Sequence, residues 1–312
     1  MTVRAFDWRD LPALLRYRHN SAFLDSALVL TRGPMMVPGA LLSSLAPSMG
    51  VLTAVSNGGH GKDSFLIGQV IHNPGSQFAH LTYLTPEAAL SSTALYYLLE
   101  YLIEVVGERG AFRMLAEADE HTPAFEALRR SSFAIYTRQR IWEFSKDLIG
   151  NAIPTDWRNA TDRDVTAIRS LYNNLVPGLV QQVEPFSITD PHGVVYCDGR
   201  ILLAYIELKY GRRGIWAQPF VHPDAEDIAA RLFDLLECLP NRHGRPIYVC
   251  VRSYQSWLES AIEELGAEPG PRQAVMVKHL AVTQKAFRAF ALPALEGGHP
   301  EISAPIARSE SK

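Results

Sequence analysis

"HLTYLTPEAALSSTALYYLLEYL", residues 80–102, reads as a strand, a short turn and a long helix. The turn is built from small residues, Ala88, Ala89, Ser91, Ser92, Thr93 and Ala94, and holds no glycine. Such a bend suits a backbone that must come close to something, or one that descends from a glycine loop.

The stretch recurs. "HPDAEDIAARLFDLLECL", residues 222–239, aligns without a gap: Pro86 with Pro223, Glu87 with Asp224, Ala88 with Ala225, and Leu95, Leu98, Leu99 and Leu102 with Leu232, Leu235, Leu236 and Leu239. Leucines at helical spacing are common to any two amphipathic helices, but a shared proline, acid and entering strand point to a repeat. Further out, "VRAFDWRDLPALL" and "WRNATDRDVTAIR" agree at Arg4/Arg158, Arg9/Arg163, Asp10/Asp164 and Ala13/Ala167. Asp or Thr before each apolar run is an N-cap candidate.

Each half then carries a hairpin. The first flanks the glycine-rich "NGGHGK", residues 57–62, and the second turns at Asp198-Gly199, a pair suited to the positive φ of a tight hairpin turn. A third strand, the long helix, a strand, a shorter helix and a last strand follow in both. Helices alternating with hairpin-led strands predict a mixed α/β sheet covered by helices. The expected organisation is one domain over residues 1–148, a second over 155–283, and a disordered tail over 292–312, where apolar periodicity stops.

Composition narrows the function. A net charge of −3 over 312 residues gives no basic footprint for nucleic acid. The most apolar run, "TALYYLLEYLIEVVG", carries Glu100 and Glu104 and is too short to span a membrane. Cys197, Cys238 and Cys250 lack metal-ligand spacing, and with the charged N-terminus they lead to the expectation of a reduced, cytoplasmic protein.

The order of elements, the strand–Pro–acid–small turn–helix unit, and the later "FEALRRSSF" and "AIEELGA" resemble the GNAT superfamily of acyl-CoA-dependent N-acyltransferases, in two tandem copies. The resemblance implies acetyl-CoA or another acyl-CoA as cosubstrate and an amine acceptor that the sequence does not name. In the family, an Arg/Gln-x-x-Gly-x-Gly/Ala turn cradles the CoA diphosphate on free N–H groups at a helix N-terminus. Here the glycines are replaced in both halves. Leu84, Thr85, Leu90, Ser91, Ser92, Thr93 and Ala94 form the corresponding stretch of the first half, while Asp224, Glu226 and Asp227 crowd that of the second. Three carboxylates repel a diphosphate, so the first half is the expected cosubstrate site. Ordinary helix capping explains the first turn equally simply and is the favoured reading of the second.

The resemblance also implies a tyrosine acid on the short helix. Leu128 and Ile262 stand there, and neither donates a proton. His80 on the third strand is the candidate base, with a partly exposed sheet histidine as the alternative. Tyr83, at odd spacing, is expected on the opposite face. Glu207 is a further candidate base, and Gln218 takes the matching place on the second half's third strand. Two readings stay open: an acyl-CoA-dependent N-acyltransferase, or a non-catalytic binding or scaffold protein that kept the fold.

Overall fold

The computed structural model describes residues 2–57, 65–144, 157–187, 191–199, 201–237, 239 and 241–280. The hairpin tip beyond Asn57, Cys238, most of the expected linker and the expected tail lie outside them.

The first half runs β1 (Thr2–Ala5), α1 (Leu11–Tyr17), β2 (Ala22–Phe23), α2 (Ser26–Arg32), α3 (Met36–Leu45), β3 (Val51–Asn57), β4 (Phe65–Ile71), β5 (Phe78–Thr85), α4 (Thr93–Glu108), β6 (Arg113–Asp119), α5 (Pro123–Arg130) and β7 (Ala134–Phe144). The second runs β8 (Trp157–Asn159), α6 (Val165–Leu175), α7 (Gly178–Val183), β9 (Gly193–Asp198), β10 (Ile201–Tyr210), β11 (Ile215–Val221), α8 (Ile228–Glu237), β12 (Ile247–Arg252), α9 (Leu258–Glu264) and β13 (Glu268–His279).

The repeated sequence features do repeated work. Asp10 accepts both Arg4 terminal nitrogens at 2.7 Å and the Asp7 N–H at 2.9 Å. Asp164 accepts both Arg158 nitrogens at 2.7 and 2.6 Å and the Thr161 N–H at 2.9 Å. Each carboxylate therefore closes a capping box and ties the incoming strand to the first helix. Burial alone would raise the Asp10 carboxyl, but its hydrogen bonds to Arg4 and Asp7 leave it below the usual range. Asp164 is held lower still, chiefly by Arg158. On α4, Leu95, Leu98, Leu99, Leu102 and Val106 form one buried stripe against the sheet, each contributing about 2 kcal/mol of apolar burial. Tyr96 and Tyr97 face solvent instead.

The strands form one mixed sheet in the order β1-β3-β4-β5-β6-β13-β7-β12-β11-β10-β9-β8, with β2 added beside β5. Two neighbouring pairs are parallel, β5 with β6 and β11 with β12. The last strand of each half does not close its own half. β13 lies between β6 and β7, and β7 lies between β13 and β12. A single long strand ends each half, and the crosswise exchange gives both strands a ladder on either side. Read from either edge, the order gives five strands of one half followed by the terminal strand of the other.

Helices α4 and α5 pack one face of the first-half strands, and α8 and α9 do the same in the second. On the opposite face, α1 and α3 pack a smaller first-half cluster, while α6 and α7 cover the middle of the sheet. No single described helix is long and apolar enough to cross a membrane.

Candidate active site

Each parallel pair of strands splays. β5 and β6 are in register over Phe78–His80 and Arg113–Leu115 and then part. β11 and β12 do the same after Ala217 and Val249. A splayed pair leaves two rows of backbone donors and acceptors without a ladder, and each half meets that need differently.

In the first half the chain itself enters the gap. β2 pairs antiparallel with the end of β5, Ala22 opposite Leu84 and Phe23 opposite Tyr83. The next residue closes the apex: the Leu24 N–H donates to the Thr82 carbonyl at 2.8 Å, and the Glu117 N–H donates to the Leu24 carbonyl at 2.8 Å. Ala22 and Leu24 bury their side chains in the core, and the Ser26 N–H donates to the Glu117 carboxylate at 2.9 Å. In the second half one side chain fills the gap. The Gln255 Oε1 accepts the Val221 N–H and its Nε2 donates to the Pro219 carbonyl, both at 2.8 Å, so a buried amide reproduces a strand's two bonds.

Beyond β2 the first-half gap stays open. A cavity of about 540 Å³ lies between Ala22–Leu24 and the end of β6 at Ala118–Asp119, and it reaches Ile141 and Tyr248 at the centre of the sheet. Asp119, Glu143, Glu268 and Glu87 line it, with no Lys or Arg among the described residues of its walls. Glu143 and Glu268 stand directly opposite each other on β7 and β13, a like-charge pair that a sheet ordinarily avoids. Its floor is ordered: the Gln273 Nε2 donates to Asp119 at 2.9 Å, the Gln139 Nε2 donates to the Gln273 Oε1 at 2.8 Å, and the Ser26 hydroxyl donates to the same oxygen at 3.1 Å.

Beside the mouth is a shallower hollow of about 340 Å³, lined by Asn20, Glu87, Ala88, Ser91, Pro123 and Arg130. It sits at the N-terminus of α4, where the helix dipole favours an anion. Hollow and cavity share Glu87, and Pro123 of one is flanked by Thr122 and Ala124 of the other.

A charged cluster sits at the centre of the sheet. Arg252 donates through one terminal nitrogen to both Glu184 oxygens at 3.3 and 3.4 Å, and Tyr136 hydrogen-bonds the same carboxylate. Burial and then the charge of Asp25 hold the Glu117 carboxyl above its usual range, against the pull of Arg252 and Ser26. Burial pushes the Cys250 thiol up to about 12, which removes it as a nucleophile.

Of the residues expected from sequence, Ser91 is exposed and opens on the hollow. Ser92 is the N-cap of α4, with its hydroxyl donating to the Ala89 carbonyl at 2.7 Å, and Thr93 is exposed on the first turn. Leu84, Leu90 and Ala94 are core residues. Thr85 is buried and donates to the carbonyls of Tyr17 and Asn20 at 3.0 Å. Several amides of the turn are already used: Glu87 donates to Asn20, Ala89 to Pro86, Leu90 to Glu87 and Ser92 to Ala89.

His80 lies in the paired stretch of β5 below the apex, 5.6 Å from the Phe78 ring centre to centre, and is not among the residues lining the cavity. A bulge at Thr82 inserts one residue into β5, so Tyr83 comes to the same face as His80 rather than the opposite one. Glu207 on β10 pairs with Lys209 at 3.4 Å and faces Gln218 across the ladder, away from the cavity. Leu128 and Ile262 are fully buried in the two cores. Sequence reasoning missed Leu24, Asp119, Gln255 and Glu268. The one available signal was "SAFLD", three apolar residues between polar ones just after a helix, too short for periodicity to register.

No protein-family model matches the sequence, and no curated protein does. Solved structures do. The GCN5-related N-acetyltransferase from Sphaerobacter thermophilus superposes with a TM-score of 0.54 at 12% identity, over 89% of this chain and 95% of that one. A tandem GNAT protein from the clavulanic acid biosynthesis pathway gives 0.46 at 14% identity over 80% and 89%, and a GNAT-family acetyltransferase from Colwellia psychrerythraea gives 0.42 at 13% over 90% and 100%. Of these three, the first superposition shows the fold: the chain is a mixed α/β protein with the GNAT fold.

Proposed function

We propose that the protein is an acyl-CoA-dependent N-acyltransferase working in its first half, with the second half as a brace. One observation carries this reading: the hollow at the N-terminus of α4, lined by Ser91 and Arg130, adjoins the acid-lined cavity and shares Glu87 with it. The hollow suits a diphosphate, with Arg130 as its cation and the α4 dipole behind it; Glu87 works against it. A bound acyl-CoA supplies an activated thioester. Asp119, Glu143 and Glu268 attract the ammonium form of an amine acceptor, and one of them takes its proton, directly or through water. The thiolate that leaves takes its proton from water rather than from a protein acid, consistent with Leu128 at the position where the resemblance implies tyrosine.

Calorimetric titration of acetyl-CoA into the full chain tests the reading. Binding that weakens about tenfold in Arg130→Ala supports it; no heat at millimolar ligand removes it. A second reading, binding without transfer, is favoured by Leu24 and Gln255, which fill the inner edges of both gaps. Thiol release from acetyl-CoA across a panel of amines separates the two: binding without release leaves the second.

A further inference from the structure

We infer that the β10–β11 hairpin turn and the two segments packed beside it form a docking surface for a short acidic segment of another polypeptide. Three stretches meet at this corner: the end of α2, the hairpin turn and the loop before β12. The Arg213 N–H donates to the Thr31 carbonyl at 2.8 Å, and a Cβ added at Gly33 would lie 3.1 Å from the Arg213 Nη1. Arg245 donates from Nη1 to the Gly211 carbonyl and holds its guanidinium over the Tyr210 ring. The three stretches, residues 29–35, 209–215 and 241–247, carry Arg32, Lys209, Arg212, Arg213, Arg242 and Arg245 and not one Asp or Glu. In a chain of net charge −3 this is a local reversal of sign. Some of the charge is committed: Lys209 meets Glu207 at 3.4 Å, and Arg245 also donates to the Arg242 carbonyl at 2.9 Å. Arg32, Arg212 and Arg213 are exposed, and among the described residues no carboxylate pairs with them. Arg213 reaches α2 through its backbone, so packing there does not call for its charge. Like charges gathered this way repel one another and cost stability unless something opposite meets them.

The cationic corner is not a property of the repeated module. The matching turn of the first half, residues 72–77 between β4 and β5, holds no Lys or Arg. Guanidinium forks match carboxylates and phosphates, so either could be the counter-charge. Two observations favour the polypeptide. The first is the neighbour of the patch. Gly214 is wedged so tightly that a Cβ there would sit 2.5 Å from the Tyr248 ring and 3.0 Å from the Leu30 carbonyl oxygen. Tyr248 and Leu30 line the cavity that Glu143 and Glu268 also line. A polymer leaving the patch on that side passes from arginines to carboxylates. A polypeptide can carry both signs in turn, whereas a phosphate backbone is repelled at the second step. The second is the lack of a stacking platform. Single-stranded nucleic acid is held by bases lying on aromatic rings. Tyr210 is the one Phe, Tyr or Trp in the three stretches, and Arg245 already lies over its ring.

The test uses fluorescence anisotropy on the full chain with a labelled hexaglutamate peptide, and a hexauridylate carrying the same label as comparison. The peptide is expected to bind saturably at low salt and to weaken about tenfold as salt shortens the reach of exposed charges. The double variant Arg212→Ala, Arg213→Ala should weaken it about tenfold, because the two unpaired guanidinium groups are both gone. Arg212→Ala alone removes one exposed side chain, should weaken binding about threefold, and gives the reading if the double variant melts early. Arg16→Ala, exposed on α1 away from the patch, should stay within about twofold of the native chain. Thermal melts check that each variant is folded. Absence of saturable peptide binding at low salt, native affinity in the folded Arg212 variants, an equal loss in Arg16→Ala, or tighter binding of the hexauridylate overturns the inference. The acetyl-CoA titration that tests the proposed function is read separately, so either can fail without the other.

Discussion

The two halves share a module and differ in how they treat one gap. Both bind an arginine to the aspartate that caps the first helix, and both splay a parallel pair after three residues in register. The first fills the splay with a piece of main chain and keeps a cavity beyond it; the second fills it with a single glutamine side chain. A main-chain plug has a second edge to offer and a side-chain amide does not. Of the two gaps, the one closed with backbone is the one that borders the cavity.

The comparison breaks most completely if the halves can be parted. Residues 1–144 alone lose β13 from beside β6 and β12 from beside β7, exposing three strand edges. We expect no cooperative thermal transition from this fragment as a monomer. A native-like melt would show that the exchanged strands are dispensable.

The next largest effect concerns the glutamine plug. Gln255→Leu leaves the Val221 N–H and the Pro219 carbonyl buried and unpaired, and should cost about 2–4 kcal/mol in urea unfolding. A cost below about 0.5 kcal/mol would mean that water replaces the amide without penalty.

A smaller effect sharpens what the halves share. Asp10→Ala and Asp164→Ala each remove a cap and a part-exposed bidentate ion pair, so each should cost about 1–2 kcal/mol. Asp164 is held lower than Asp10, and its stabilisation is the one that persists further into acid. A carboxyl held below its unfolded value stabilises above that value, and the contribution is lost as the pH falls through the folded one. Equal acid sensitivity in the two variants would contradict the stronger Arg158 contact.

The smallest effect has the opposite sign. Glu117 takes on β6 the register position that Cys250 takes on β12, two residues before the one aligned with the paired glutamines. Its carboxyl is raised by burial, so the folded state holds its proton more tightly than the unfolded chain. That contribution is present at low pH and is lost as the pH rises from the ordinary carboxylate range through the folded value. Glu117→Gln keeps an acceptor for the Ser26 N–H and should raise the melting temperature by a few degrees at pH 8, with the gap closing toward pH 5. A variant that melts lower at pH 8 would show that the charge is needed by Arg252.

The repeat was legible because Pro86, Glu87 and Ala88 have counterparts in Pro223, Asp224 and Ala225 at one spacing, and capping by Asp7 and Thr161 followed from side-chain chemistry. The exchange of β7 and β13 was not legible, because an alternating apolar strand carries no label for its partner. Neither was the plug. Ala22–Phe23 is two residues long, and Gln255 sits in a short turn before α9 where sequence reads a continuous helix. His80 is a candidate base by its chemistry alone, whereas the cavity is walled by carboxylates brought together from β6, β7 and β13.

The crossed terminal strands also set an order of events at the ribosome. Synthesis reaches the end of β7 well before it reaches β13, with the whole second half in between. At about 5–20 residues per second, the edges of β6 and β7 wait on the order of ten seconds for their partner. The nascent first half must spend that interval incomplete, with open strands that a chaperone or another chain could engage.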